Sequence, residues 1–271
     1  MKKQNLILSE YDKQEIRKKQ IYKALPIVSV ILLIAIWLLA SSSGNSQFPS
    51  PAATWHRLLV LLHKPIKNLS LWGHILASLE RVVTALVLSW ILGISFGILL
   101  GWSKKCNALF GPVFTAFRAV PPLAWIPLFT IWFGTSEGSK ILLVFIGAVM
   151  PVVVNTQAGM SNVNKLYLDV GTIFNASSRQ KLFQIAIPSA LDAIFAGVRT
   201  SASAGWMVVL AAEMLGANSG VGFLITRGMD SGDLPLVLLA MICIGIIGAI
   251  LAIFTQIAEG VICPWTRKRS N

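Results

Sequence analysis

The sequence predicts an all-α integral membrane protein with six transmembrane helices, and three observations lead there. Hydrophobic residues fill 55% of the 271 positions and charged ones only 13%, beyond what a soluble domain of this length needs for its core. Three runs, 82–102, 141–160 and 234–258, contain no Asp, Glu, Lys or Arg. Each matches the roughly 20 residues that carry a helix across a bilayer at about 1.5 Å per residue. The net charge of +12 is gathered mainly at the ends of apolar segments. That distribution fits membrane topology. It does not fit nucleic-acid binding, since no motif interleaves aromatic residues with the basic ones.

The six expected spans are 24–40, 75–102, 108–134, 140–160, 193–215 and 234–258. The first follows a charged tail over 1–23. Its small-residue end, "LLASSSG", also suits a signal peptide, but a 23-residue charged lead is long for one. The stretch reads better as a retained helix behind a cytoplasmic tail. Between the first two spans, segment 41–74 begins with turn residues and then places Trp55, Leu58, Leu59 and Leu62 on one helical face. Such a helix lies along the outer membrane surface, with Trp at headgroup level.

Span two carries Gly93, Gly97 and Gly101 at four-residue spacing, a groove that lets another helix approach closely, within the monomer or across a dimer seam. Glu80 and Arg81 near its start point about 100° apart and need not pair with each other. Span three holds Arg118, Pro121, Pro122 and Pro127, and prolines at this density must break or kink it. Freed backbone groups at membrane depth are tolerated only against protein or a water-filled cavity. Arg118 therefore either faces a translocation path, serves a structural ion pair, or snorkels to the surface. Span five is interrupted by Arg199, close enough to its end to snorkel, and by Glu213, which either pairs with an in-membrane arginine or serves a gate.

Loop charge sets the orientation. Fifteen basic residues fall on the side of the two tails, the loop after span two and the loop after span four. Five fall on the other side (Arg57, Lys64, Lys67, Lys140, Arg227), and Arg81, Arg118 and Arg199 lie within spans. Positive residues favour the cytoplasm, so both termini, including the tail 259–271, are expected there.

Catalytic and metal motifs are missing. "GTSEGSK" at 134–140 is not a phosphate-binding loop, because three residues separate its glycines where four are needed and Ser139 intervenes before Lys140. Cys106, Cys243 and Cys263, and His56, His63 and His74, lack metal-ligand spacing. No nucleophile–base pattern or carboxylate pair suggests an enzyme.

The polar stretch "DVGTIFNASSRQKLFQIAIP", 169–188, interrupts this apolar chain. Asp169 suits a helix start, where a carboxylate meets the positive end of the helix dipole. Asn175 suits the left-handed turn that ends a helix. Ser177 suits the cap of a second short helix that Pro188 would end. Leu182, Phe183 and Ile185 are apolar, yet they lie on the cytoplasmic side, away from lipid. The pattern describes a helix–turn–helix that offers an apolar and basic surface to a partner.

This stretch resembles the cytoplasmic coupling loop of ATP-binding-cassette importer permeases. That family's pattern is Glu-Ala-Ala, three residues, Gly, nine residues, Ile-x-Leu-Pro. Here Asp169-Val170-Gly171, Asn175 and Ile185-Ala186-Ile187-Pro188 keep the spacing. They depart from it in Asp for Glu, Val-Gly for Ala-Ala, Asn for Gly and Ile for Leu. "FPSP", "RAVPPLAWIPLFTIWFG" and "GWMVVLAAEMLGANSGVGFLI" are similar to the subfamily that moves nitrate, sulfonate, taurine and bicarbonate, and vitamin-precursor carriers share the pattern. The resemblance implies the type I importer permease fold, with a core over 75–258 and a coupling loop over 161–192. It implies a multi-pass protein of the bacterial inner membrane that assembles with a second permease copy, two ATPase subunits and an external solute-binding protein. This chain needs no cofactor of its own, because ATP and Mg²⁺ belong to the ATPase. The expected coupling residues are Asp169, Gly171, Asn175, Ser177, Arg179, Leu182, Phe183, Ile185 and Pro188. The expected path residues are Arg118, Pro121, Pro122, Arg199 and Glu213. The competing class is an ion-coupled carrier or channel working without an ATPase, which broken helices and buried charges also fit.

Overall fold

A computed structural model describes residues 25–42 and 48–263, together with Lys18 and Tyr22. The other residues of the charged tail 1–23, and the basic residues Arg267, Lys268 and Arg269, lie outside the described residues. Helix α1, Leu25–Ser42, is long and apolar enough to span a membrane, as are α3, Leu71–Trp102, α6, Glu137–Ser161, and α11, Leu234–Ile262. A fifth continuous helix covers Ser178–Met214. The expected third span is a bent pair, α4 (Lys104–Arg118) and the segment Pro122–Phe133, which meet at 85°. That segment comprises a 3-10 turn and α5, Ile126–Phe133. Pro121 and Pro122 bring no N–H to continue α4, so the helix stops at the break.

Short polar caps set the other boundaries. The Ser50 side chain accepts from Ala53 N to start α2, Pro51–His63, with Pro51 in the first turn. Ser70 caps α3 and Ser136 caps α6 in the same way. Ser103 both terminates α3 and caps α4, so one residue makes that corner. Asp233 caps α11 through Leu236 N.

The core is the contact of α3, α6 and the last span-five helix, α9 (Ile187–Met214), and small residues make it possible. A Cβ on Gly97 would sit 2.6 Å from Thr156 Cβ, and one on Gly101 would sit 2.4 Å from Met160 Cβ. Gly147 meets Val208 and Gly159 meets Ala193 in the same way. The span-two glycine face therefore packs within the monomer, against α6. Gly97→Val is expected to destabilise the fold by about 1–3 kcal/mol, because Thr156 is backed by the packed α6 backbone. Thermal unfolding in detergent reads this, and an unchanged midpoint would show that α3 and α6 separate freely.

In α2 the side chains divide as the amphipathic pattern requires. Trp55, Leu59 and Leu62 are exposed, while Thr54 and Leu61 are buried and Leu58 packs against the core. Leu58 thus leaves the expected outward face. The bundle has two polar ends. One holds α2, α10 (Val221–Asp230) and Glu213; the other holds α7 (Lys165–Ile173) and Asn175.

Candidate functional site

At the Asn175 end the chain folds as a helix–turn–helix held by local hydrogen bonds. Asn164 caps α7 by accepting from Leu166 N. The helix ends at a left-handed Asn175, φ 56°. Ala176 N donates to Gly171 O at 2.8 Å and Asn175 N to Thr172 O at 2.9 Å, the paired bonds of a left-handed C-terminal cap. Ser177 then opens α8, Ser178–Gln180, with a reciprocal capping box. Ser177 N donates to Gln180 Oε1 at 2.8 Å, and Gln180 N donates to Ser177 Oγ at 3.3 Å. Lys181 Nζ reaches back to Thr172 Oγ1 at 2.8 Å and ties the second helix to the first. Gly171 is buried, and a Cβ there would lie 2.8 Å from Ile185 Cδ1, so the two helices cross at this residue.

Side chains at this corner divide into two sets. Leu182 turns inward onto the small cluster of Met160, Ala186, Ala190 and Ile194, and Ile185 is half-buried. Ile173 and Phe174 are each 81% exposed and Phe183 is 59% exposed, beside an exposed Arg179. Large apolar groups at a polar corner mark a contact surface.

Two expectations are corrected here. Asp169 does not start a helix. It lies exposed in the middle of α7, because Asn164 provides the cap five residues earlier. Pro188 does not end one either. Lys181–Ala186 form a π-helical turn, Ile187 N donates to Leu182 O, and the chain continues into α9 with Pro188 in its first turn. The wider turn relieves the clash that proline causes with the carbonyl four residues back.

At the opposite end lies a buried ionic cluster. Arg81, 4% exposed, uses all five of its N–H donors. Nε and Nη2 grip the two oxygens of Glu137, Nη1 donates to Glu213 Oε1 at 2.6 Å, and Ser219 accepts at both its carbonyl (2.9 Å) and its hydroxyl (2.7 Å). Glu213 is 0% exposed, and its second oxygen accepts from Ser78 Oγ and Gly222 N, both at 2.9 Å. Lys140 Nζ donates to Glu137 at 2.8 Å, so two cations balance two carboxylates. Gly220 has φ 113°, and a Cβ there would lie 2.3–2.4 Å from the Glu213 carboxyl group, so a side chain would displace it. His74 stands behind this loop. Its Nδ1 accepts from Gly220 N and its Nε2 donates to Ile66 O, which sets a neutral tautomer.

The expected path residues do not form one site. Glu213 pairs with Arg81. Arg199 Nη1 donates to Glu259 at 2.8 Å, fourteen residues or about 21 Å down the helix from Glu213. Arg118 ends α4, exposed and without an ion pair among the described residues, beside Pro121 and Pro122 at the break. Glu137 and the role of Arg81 were missed from sequence. Their shared membrane level with Glu213 was the available signal, since a charge at that depth needs a partner. Among the described residues no group of three or more His, Cys, Asp or Glu side chains could hold a metal.

Comparison with known proteins supplies the family. Residues 93–268 match the model described as binding-protein-dependent transport system inner membrane component. The chain belongs to that family. The chain is 32% identical to the nitrate import permease protein NrtB of Synechocystis sp. over 248 residues, covering 90% of each chain. It is also 32% identical to the taurine transport system permease protein TauC of Escherichia coli, covering 87% of this chain and 86% of that one. The bicarbonate transport system permease protein CmpB of Synechococcus elongatus is 32% identical, with 84% of each chain covered. Among solved structures, an inward-facing form of the MetNI methionine ABC transporter overlays with TM-score 0.60. At 16% identity it covers 79% of this chain and 99% of that chain, and it shows the type I importer permease fold. The chain is thus a multi-pass inner-membrane component of an ABC importer, and not an enzyme.

Proposed function

We propose that this permease passes a small anion of the nitrate, sulfonate, taurine or bicarbonate class, delivered by an external binding protein and driven by two separate ATPase subunits. The carrying observation is the corner at Asn175. It exposes Ile173, Phe174 and Phe183 at a polar end of the bundle, and its second helix continues over Ser178–Met214. That is 37 residues, or about 55 Å, so a displacement at Ser178 is carried along one continuous helix toward Glu213. In this reading the Asn175 corner and both termini are cytoplasmic, as loop charge requires. Ile173, Phe174, Arg179 and Phe183 enter a groove on the ATPase, which holds ATP and Mg²⁺. Two permease copies pair around the path, and ATP binding favours the state in which their two corners approach each other.

The broken span is the place where solute meets the protein. Among the described residues the exposed Arg118 makes no ion pair and the buried indole N–H of Trp125 has no acceptor. A cation beside broken backbone suits an anion in transit. Uptake into vesicles holding the permease, ATPase and binding protein tests the proposal. Accumulation of nitrate, taurine or bicarbonate should need ATP and the binding protein, and uptake driven by an ion gradient without ATPase would overturn it. Arg118→Ala should lower solute-stimulated ATP turnover about tenfold or more while the complex stays assembled, as expected when a charge-assisted bond of about 1.5–3 kcal/mol is lost. Unchanged turnover would return Arg118 to a structural role.

A further inference from the structure

The ionic cluster around Arg81 has a seam. Its charges divide into two neutral pairs, Arg81 with Glu213 and Lys140 with Glu137, and the two-pronged Arg81–Glu137 bond joins them. The first pair is locked in. Glu213, at the end of α9, is fully buried, and Ser78 of α3 both donates to it and accepts from Val221 N at 2.9 Å. Ser219 is held by Arg81, and Gly220 N by His74. Parting Arg81 from Glu213 would strand a buried carboxylate. The second pair is not locked. Glu137 opens α6, most of its side chain is exposed, and its bond to Lys140 lies within the first turn of that helix. Parting Arg81 from Glu137 leaves each cation with a carboxylate, and water reaches the freed oxygens.

The backbone on either side follows the same seam. α5 ends at Gly134, φ 63°, where a Cβ would meet open space. Thr135 then leans on Gly216, φ 91°, whose Cβ would lie 2.8 Å from Thr135 Cγ2. Beneath that contact, α5 and the end of α9 do not close on each other. Ile126, Phe129, Thr130, Lys140, Ala212 and Leu215 help to line a cavity of about 20 Å³, room for a single water. The α5–α6 corner is thus held to the end of α9 at two points, Thr135 on Gly216 and Glu137 on Arg81. α3 and α6 remain packed at Gly97, sixteen residues or about 24 Å along α3 from Arg81. A small tilt at that contact is a large displacement at Glu137.

We infer that Arg81 is a latch between the end of α9 and the α5–α6 corner, and that its Glu137 arm opens during the transport cycle. The inference rests on the importer reading, in which α9 carries the drive from Ser178 and this end of the bundle faces outward. The closed latch holds the outer end shut. When ATP binding shifts α9, Glu213, Ser219 and Arg81 move as one unit, and the seam opens at Glu137 because that is where no buried charge is left alone. The bond then sets how far the resting complex favours the closed form, and hence how much ATP is turned over without a binding protein.

The test uses the permease with its ATPase in nanodiscs, and the binding protein and solute that support wild-type uptake. Glu137→Gln keeps the shape of the arm, and its amide oxygen still accepts from Lys140. It should raise ATP turnover without binding protein about fivefold or more and shrink the further stimulation by loaded binding protein. Thr135→Cys with Gly216→Cys, with Cys106, Cys243 and Cys263 replaced by alanine, tests the same seam from the backbone. The two Cβ positions are 3.5 Å apart, within disulfide reach. Oxidation should cut uptake about tenfold or more and cancel the gain of Glu137→Gln, and dithiothreitol should restore both. The reduced pair is the folding control, since a cysteine at Gly216 is strained. Unchanged or lowered turnover in Glu137→Gln marks a merely structural bond and overturns the latch. So does uptake by the fully oxidised pair at the reduced rate. Wild-type uptake needing neither ATPase nor binding protein would instead sink the importer reading itself.

Discussion

Arg81→Met is expected to lower stability by about 3–5 kcal/mol, the largest loss expected from any single side chain in the membrane-embedded core. The size follows from what is left behind. Glu213 is 0% exposed and would keep only Ser78 Oγ and Gly222 N as donors, without a counter-charge. Ser219 would lose both of its bonds to Arg81 and free the 215–220 loop. Glu137 contributes less to the loss, because it is 59% exposed on its side chain and retains Lys140. A volume-matched double variant, Arg81→Met with Glu213→Leu, should recover most of the stability, since an apolar pair strands no charge. Thermal unfolding of the four proteins of this cycle in detergent measures the coupling. A single Arg81→Met variant as stable as the parent would mean that water already reaches Glu213, and that the cluster does not hold α3, α6 and α9 together.

How much of this was legible in sequence follows the range of the interactions involved. The spans were readable because membrane crossing depends on local composition, and the expected spans 75–102, 140–160 and 234–258 place α3, α6 and α11 to within about four residues at each end. The break in the third span was readable for the same reason, since Pro121 and Pro122 lack donors wherever they sit. The turn at Asn175 and the cap at Ser177 are local chemistry and were found. Asp169 was misplaced because a carboxylate suits a helix start, but Asn164, with its side chain on Leu166 N, is the cap actually used. Pro188 was misread because tertiary packing overrides it. Leu182 and Ala186 are held on Met160 and Ile194, and the chain widens into a π turn instead of stopping. That Glu213 pairs with an in-membrane arginine was among the sequence readings, but the choice of Arg81 and the part of Glu137 were not, because these contacts join residues 132 and 56 positions apart. Glu137 was also concealed inside a false phosphate-loop pattern.

Phe174→Glu combined with Phe183→Glu is expected to strip the ATPase subunits from the complex and abolish ATP-driven uptake. Both rings are exposed in the isolated chain, at 81% and 59%, so the permease itself should fold and insert as before. Buried aromatic anchors at interfaces are commonly worth about 2 kcal/mol or more each, which is about thirtyfold in affinity. Two losses compound, and each new carboxylate must be desolvated in the groove or hold it open. The frame that presents the rings is the second element of the prediction. Asn175→Gly should leave assembly intact, because glycine takes φ 56° at no cost, whereas Asn175→Val should strain the turn that aims Phe174 and weaken association. Co-purification through a tag on the ATPase, and uptake by the same preparations, read both effects. If the double glutamate variant still carries its ATPase and transports at the parental rate, the motor grips this permease elsewhere. The 37-residue helix from Ser178 to Met214 would then have no displacement to deliver to the Arg81–Glu213 cluster.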